Sequence, residues 1–259
     1  MKLAGKIWRI IYPEFLLFGT YFAVYIVAIF SYGSFFSAKY PDLESFMAAA
    51  GDIVSITSLL IGGLVVYYFY RKDYPVEFRT LTGSPKYIIA LIILAVLLSH
   101  GLNILVSLVN YSGFLGTYSQ GVQSTAAAAV IITVIKTVIL APIAEELTFR
   151  GLIFRRMEAY TSFWPAALVS SALFALYHMN LLQGIYAFIY GIVLCLIYRK
   201  FRNILAPLIM HAAANAFTLV FTYLKLDYPS IPVYIAVMLA ALGISAVMYL
   251  WIYKSTAEK

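Results

Sequence analysis

Long apolar runs, separated by short polar segments, dominate the chain. A helix needs about 20 predominantly apolar residues to cross the roughly 30 Å hydrocarbon core of a bilayer. The sequence therefore predicts an all-α, polytopic integral membrane bundle of about eight transmembrane helices, forming a single domain over residues 1–259. The predicted spans are Phe15–Phe36, Phe46–Tyr70, Tyr87–Val109, Val122–Leu140, Phe163–Tyr177, Leu181–Tyr198, Ile204–Leu224 and Val233–Tyr253. The stretch from Ile143 to Tyr160 either prolongs the fourth span or lies along the membrane surface.

The basic residues alternate between the loops in a way that supports eight spans. Fourteen of the 18 Lys and Arg residues fall before the first span or after an even-numbered one. These are Lys2, Lys6, Arg9, Arg71, Lys72, Arg79, Lys86, Arg155, Arg156, Arg199, Lys200, Arg202, Lys254 and Lys259. The opposite loops contribute only Lys39 and Lys225. Because cytoplasmic loops are enriched in Lys and Arg, both termini are predicted to be cytoplasmic.

Composition narrows the class of partner. Hydrophobic residues make up 63% of the chain and charged residues 11%, with a mean hydropathy of +0.91, whereas soluble domains carry about 25% charged residues. The net charge of +7 comes from clusters that flank apolar runs, so we expect contact with the lipid bilayer and not with nucleic acid. The single cysteine, Cys195, excludes an internal disulfide and has no His or acid at helical spacing.

Three polar islands interrupt the apolar runs, and the first contains Glu145, Glu146 and Arg150. At about 100° per residue, Glu146 and Arg150 lie about 40° apart and one helical turn from each other, so they can form an ion pair. Glu145 projects about 100° away from Glu146 and has no local cation. An unpaired carboxylate in a dry setting suits a general base. The pattern gives the chemistry to Glu145 and a supporting role to Glu146 and Arg150; an interfacial Glu–Arg pair is the alternative.

The other two islands carry two of the three histidines. His178 ends the fifth predicted span, while His211 and Asn215 share one face of the seventh because they are four residues apart. Taken singly, His178 suits a helix cap, and His211 with Asn215 suits hydrogen bonding between helices. Polar and ionisable groups on three apolar helices together predict a functional site. The third histidine, His100, has no evident companion in the third span.

These residue types favour hydrolysis by an activated water. No serine stands in a nucleophile turn and no Cys–His pair is visible, which disfavours acyl-enzyme chemistry. A glutamate and histidines can activate water, and a second histidine with a carboxamide can hydrogen-bond the oxyanion. No cofactor is needed for this. The mechanistic rival is Zn²⁺ held by Glu145, His178 and His211, although the His-Glu-x-x-His spacing is absent and Asn215 stands where a second helical histidine would be required.

The islands Glu145-Glu146-x-x-x-Arg150, Phe174-x-x-x-His178 and His211-x-x-x-Asn215, in this order, resemble the CPBP family of intramembrane proteases. This family, also called Abi, covers CAAX proteases and bacteriocin-processing enzymes, and includes the Ras-converting CAAX endopeptidase. The motif region is about 141–217. The resemblance implies an eight-helix glutamate protease with a cavity open to the cytosol. It also implies that Glu145 and His178 activate water and that His211 and Asn215 form the oxyanion hole.

The substrate stays open at this level. The resemblance implies a membrane-associated peptide or a lipidated, for example prenylated, protein, and the compact loops indicate a prokaryotic cell membrane. Two functions from other classes remain as alternatives. A transporter would use the intramembrane charges as an ion path, although no inverted repeat or pair of broken helices is visible. A non-catalytic bacteriocin-immunity protein would retain the fold without the chemistry.

Overall fold

The computed structural model describes residues 3–75, 85–109 and 127–255, which fold into eight helical segments without any strand. Lys2, Arg79, Lys259 and the first residues of the predicted fourth span, 122–126, lie outside the described residues. The helices are α1 (Leu3–Ser31, continued by a π-helical turn over Tyr32–Phe36), α2 (Leu43–Asp73), α3 (Pro85–Val109), α4 (127–158), α5 (Phe163–Tyr177), α6 (Leu181–Phe201), α7 (Leu205–Tyr223) and α8 (Ile231–Ser255).

The helices α2, α3 and α5 to α8 begin and end within three residues of the predicted spans. Two helices depart from the prediction: α4, which continues to Glu158, and α1, which begins at Leu3 and not near Phe15. Hydropathy detects the segment that crosses hydrocarbon, whereas the helical backbone continues beyond it. The extension is held by an ion pair between Arg9 Nη2 and Asp73 Oδ2 at 3.2 Å, where α2 ends.

The fourth helix is a continuous rod made of alternating α and π segments. It runs through Ala127–Val134 (α), Ile135–Leu140 (π), Ala141–Glu146 (α), Leu147–Phe154 (π) and Arg155–Glu158 (α). It packs against α1, α2, α5 and α7, and every residue of Leu147–Phe154 is buried. The stretch 143–160 therefore prolongs the fourth span through the bundle and does not lie along the membrane surface.

The bundle has a lipid-facing exterior and two distinct ends. Six helices, α1 with its π turn, α2, α3, α6, α7 and α8, are long and apolar enough to cross a membrane, and large apolar side chains such as Phe30 and Val247 are 71% and 67% exposed on the outside. We call the end that carries Leu3 and Ser255 the terminal end. The other, which carries the α5–α6 turn at Met179 and the α7–α8 segment 224–230, is the distal end.

Candidate active site

All four predicted catalytic residues, Glu145, His178, His211 and Asn215, line one cavity of about 460 Å³. The cavity lies between α3, α4, α5, α6 and α7. Its other lining residues are Asn103, Thr133, Lys136, Thr137, Ala141, Phe174, Tyr177, Gln183, Tyr186, Ala187, Tyr190, Thr218 and Leu219. The structure thus brings together four predicted catalytic residues that lie up to 70 positions apart in the sequence.

Glu146 and Arg150 lie behind this cavity, in the packed interior. Arg150 Nη1 donates to Glu146 Oε1 at 2.9 Å, and both side chains are almost completely buried. The guanidinium also lies 4.4 Å from the centre of the Phe174 ring, a cation–π contact that strengthens when it is desolvated. Gly191 on α6 makes room for it, since a Cβ there would come within 2.9 Å of Arg150 Nη2. The ion pair expected from the four-residue spacing is therefore present.

His211 bridges the two glutamates. Its Nδ1 is 2.8 Å from Glu146 Oε1, and its Nε2 is 3.6 Å from Glu145 Oε2. Because Glu146 is paired with a guanidinium, its carboxylate can only accept, and His211 Nδ1 must carry the proton in this contact. The Nε2 atom is then directed at Glu145 on the cavity side. Sequence reasoning missed this bridge, because no local spacing relates α7 to α4.

His178 ends α5 and is held by its own helix. Its Nδ1 is 2.7 Å from the Phe174 carbonyl, which can only accept, so Nδ1 is the donor and Nε2 carries the lone pair. The following residue, Met179, adopts a left-handed conformation with φ 52°, which is a common way to end a helix. Asn180 then caps α6 by accepting from the Gln183 N–H at 3.0 Å. The sharp turn leaves His178 at the wall of the cavity.

Asn215 is anchored to α4 by a carbonyl that the helix itself leaves free. At the end of the π segment, the Ala141 N–H donates to Lys136 O, and the next residue, Pro142, has no N–H to donate. The Thr137 carbonyl accepts instead from Asn215 Nδ2 at 2.8 Å. Because a carboxamide has two N–H donors, one is engaged in the anchor and the other remains for the cavity.

The π segments also decide which side of α4 lines the cavity. Thr133, Thr137, Ala141 and Glu145 all line it at four-residue spacing. In a regular α-helix, three such steps would rotate the last residue by about 120° from the first. The π segment Ile135–Leu140, with its wider i→i+5 turns, turns less per residue and compensates for this drift. Such π segments are frequent at functional sites.

Lys136, a cation inside the fourth predicted span, also lines the cavity and pairs with Asp52 of α2 at 2.5 Å. Asp52 lies inside the second predicted span, and an acidic residue in such a position usually faces the bundle interior and has a partner there. The sequence could therefore have predicted that Asp52 is paired, although not with which residue.

No group of three His, Cys, Asp or Glu side chains among residues 3–75, 85–109 and 127–255 is arranged to hold a metal ion. The candidate zinc ligands Glu145, His178 and His211 share the cavity, and the contact of His211 Nδ1 with Glu146 leaves its Nε2 on the cavity side. The contact of His178 Nδ1 with the Phe174 carbonyl likewise leaves Nε2 unengaged by it, so neither contact decides between a metal-free and a zinc site.

Comparisons with known proteins give independent information on this region. Residues 125–217 match the family model described as type II CAAX prenyl endopeptidase, Rce1-like. The predicted family resemblance is confirmed. The Rce1-like region contains the whole motif region 141–217, with Glu145, His178, His211 and Asn215.

Two curated proteins are similar to the chain. A Bacillus subtilis (strain 168) protein named "Putative membrane peptidase YdiL" is 29% identical over 204 residues, covering 75% of this chain and 80% of that protein. An Escherichia coli protein named "Uncharacterized 24.3 kDa protein" is 34% identical over 98 residues, covering 36% of this chain and 45% of that protein. No solved structure matches the chain significantly. The Rce1-like match and the first relative support a peptidase, and hence a hydrolase, in a multi-pass membrane protein.

Proposed function

We propose that the chain is an intramembrane glutamate-type endopeptidase. The observation that carries the proposal is the shared cavity of Glu145, His178, His211 and Asn215 inside the Rce1-like region. A water molecule between Glu145 and His178 loses a proton to Glu145 as its oxygen forms a bond to the substrate carbonyl carbon. The His178 Nε2 lone pair accepts a hydrogen bond from this water and orients it. When the C–N bond breaks, the proton passes from Glu145 to the leaving amine.

His211 and Asn215 would hold the oxyanion that forms on the carbonyl oxygen. The free Nδ2–H of Asn215 and a protonated Nε2 of His211 can both donate to it. A proton on both nitrogens makes His211 a cation, and the Glu146 carboxylate at 2.8 Å is its counter-ion. Glu146 and Arg150 are thus positioning residues, since they act through His211.

We further propose that the enzyme works without a metal and that its substrate is a membrane-associated peptide or protein. Most of the described basic side chains lie at the terminal end of the bundle, including Arg71, Arg155 and Arg199 in the last turns of α2, α4 and α6. This distribution supports cytoplasmic termini, and the membrane we propose is that of a prokaryotic cell.

The test is peptide cleavage by purified protein in detergent or nanodiscs, with a panel of amphipathic and prenylated peptides. The parent is compared with Glu145→Gln and His178→Ala, and with Glu158→Gln, which changes the same helix outside the cavity. We expect cleavage to fall by about 10²–10⁴ in the first two variants and to persist in the third.

A zinc chelator is added to every sample in parallel. Cleavage that survives chelation supports the metal-free mechanism, whereas cleavage restored only by added zinc would replace it with a zinc-dependent one. Equal cleavage by parent and Glu145→Gln would refute the catalytic role of Glu145.

A further inference from the structure

A peptidase of the proposed kind has to hold a stretch of polypeptide backbone in its active-site cavity. A backbone N–H that leaves water for a membrane-embedded cavity costs free energy unless it finds an acceptor there. Many peptide-binding proteins supply acceptors from the edge of a β-sheet, but residues 3–75, 85–109 and 127–255 contain helices and no strand. Because the carbonyls of a helix interior are bonded within the helix, the acceptors have to be side chains.

Thr137 offers such an acceptor on the wall of the cavity that α4 forms. Its side chain is half-buried and lines the cavity. Its Oγ1 lies 2.8 Å from the Thr133 carbonyl, and a carbonyl can only accept, so the single hydroxyl proton is used in this bond. The two lone pairs of the oxygen remain. The Thr137 hydroxyl can therefore accept a hydrogen bond from a group in the cavity.

Thr133, one helical turn earlier, repeats this arrangement. Its Oγ1 donates to the Ala129 carbonyl at 2.8 Å, and its side chain also lines the cavity. Other polar groups of the cavity are less suited to accept a backbone N–H. Lys136 can only donate, and Thr218 Oγ1 already accepts from an amide N–H, that of Asn103 Nδ2, at 3.3 Å. The helix α4 thus presents two hydroxyl acceptors in a row on its cavity face.

The spacing of these two hydroxyls fits an extended polypeptide. Residues four positions apart on a helix are separated by about 6 Å along its axis, at about 1.5 Å per residue. In an extended chain every second residue directs its N–H to the same side, and such residues repeat at about 6.6 Å, at about 3.3 Å per residue. A substrate that lies extended along α4 can therefore place alternate N–H groups near Thr137 and Thr133.

Thr137 also connects this row of hydroxyls to the catalytic residues. Its carbonyl accepts from Asn215 Nδ2 at 2.8 Å, and Asn215 is one of the two proposed donors to the oxyanion. Ala141 lies between Thr137 and Glu145 on the same face of α4 and lines the cavity with only a methyl group, so a polypeptide backbone can lie close to the helix there. Thr137 can therefore hold the oxyanion donor by its carbonyl and the substrate by its hydroxyl.

We propose that the hydroxyls of Thr137 and Thr133 accept hydrogen bonds from backbone N–H groups of the substrate and hold the cleaved segment in an extended conformation along α4. Because these contacts are made to the main chain, they position the scissile bond without selecting particular substrate side chains. Thr137 is then a substrate-binding residue that fixes the position of the peptide relative to Glu145 and Asn215. The inference rests on the proposed peptidase function, which it deepens.

The test is a double-mutant cycle between enzyme and peptide. The affinity for a fluorescent amphipathic peptide is measured in nanodiscs in the Glu145→Gln background, so that the result does not depend on cleavage, with and without Thr137→Val. A series of peptides carries one ester in place of one backbone amide, and each lacks the N–H at that position. Thr137→Ser keeps the hydroxyl. The control Thr20→Val removes a hydroxyl on α1, outside the cavity, that donates to the Leu17 carbonyl at 2.8 Å.

We expect Thr137→Val to weaken binding of the all-amide peptide about fivefold, as the loss of one hydrogen bond would. At one position of the peptide, the ester should weaken binding by a similar factor when Thr137 is present and have no further effect in Thr137→Val. Thr137→Ser and Thr20→Val should bind every peptide as the Glu145→Gln background does.

Ester penalties that are the same at every position with and without the Thr137 hydroxyl would overturn the inference. So would an equal loss of binding in Thr20→Val, and so would the absence of peptide binding in all variants. The proposed function fails separately, because it requires cleavage by the parent protein. A chain that binds peptide with the expected coupling at Thr137 but does not cleave it would refute the peptidase proposal and leave the binding contact standing.

Discussion

Two adjacent glutamates, Glu145 and Glu146, should respond in opposite ways to the same substitution. Glu146→Gln removes the charge that faces the fully buried Arg150 guanidinium, while Glu145→Gln changes a carboxylate whose contact with His211 is 3.6 Å long. We expect the first variant to lose mainly stability and the second to lose mainly activity.

The size of the expected loss in the free energy of unfolding follows from the burial of the ion pair. Removing one partner of a buried ion pair typically costs about 3–5 kcal/mol, because the remaining charge is left uncompensated. Glutamine keeps the shape of Glu146 and can still accept from Arg150 and His211, so we expect the lower end of that range, about 3 kcal/mol. Glu145→Gln should stay within about 1 kcal/mol of the parent, the net worth of an ordinary hydrogen bond.

The assay is unfolding in mixed micelles, in which a denaturing detergent is titrated into the purified protein and the free energy of unfolding is compared between variants. The control is Glu158→Gln, on the same helix, because Glu158 pairs with Arg202 at 2.8 Å where the arginine side chain is 55% exposed. Pairs of this kind contribute at most about 1 kcal/mol. Glu146→Gln with the parent's stability would refute the argument from burial, and so would an equal loss in Glu145→Gln.

Three further predictions concern the packing around the site. Pro142→Ala supplies an N–H that competes with Asn215 for the Thr137 carbonyl. The kcat of peptide cleavage should fall about tenfold, which corresponds to the loss of one hydrogen bond. Unchanged kinetics would contradict the anchoring role. Gly191→Ala should destabilise by about 1–3 kcal/mol through overpacking, whereas Gly243→Ala, with nothing within 4 Å of its added Cβ, should not lower the thermal midpoint. Lys136→Met breaks a partly exposed ion pair and should cost less than about 1 kcal/mol in micelle unfolding; a larger loss would show that the pair is effectively buried.

The sequence alone determined the features that depend only on the order of residues within one helix. Span positions follow from the length of apolar runs, because each helix must cover the hydrocarbon core. The pairing of Glu146 with Arg150 follows from a spacing of four residues on one helix. The resemblance to the protease family came from three short motifs, each confined to a single helix.

Only the tertiary structure decided which helix faces meet. The contacts of His211 with Glu146, of Asn215 with Thr137 and of Lys136 with Asp52 join residues 65, 78 and 84 positions apart, and the period of a helix carries no information about its neighbour. The π segments of α4 rotate the cavity-lining side chains away from the positions that a regular helix would give them. Helix periodicity orders residues around one axis, and the arrangement of several axes is set by the packing of their side chains.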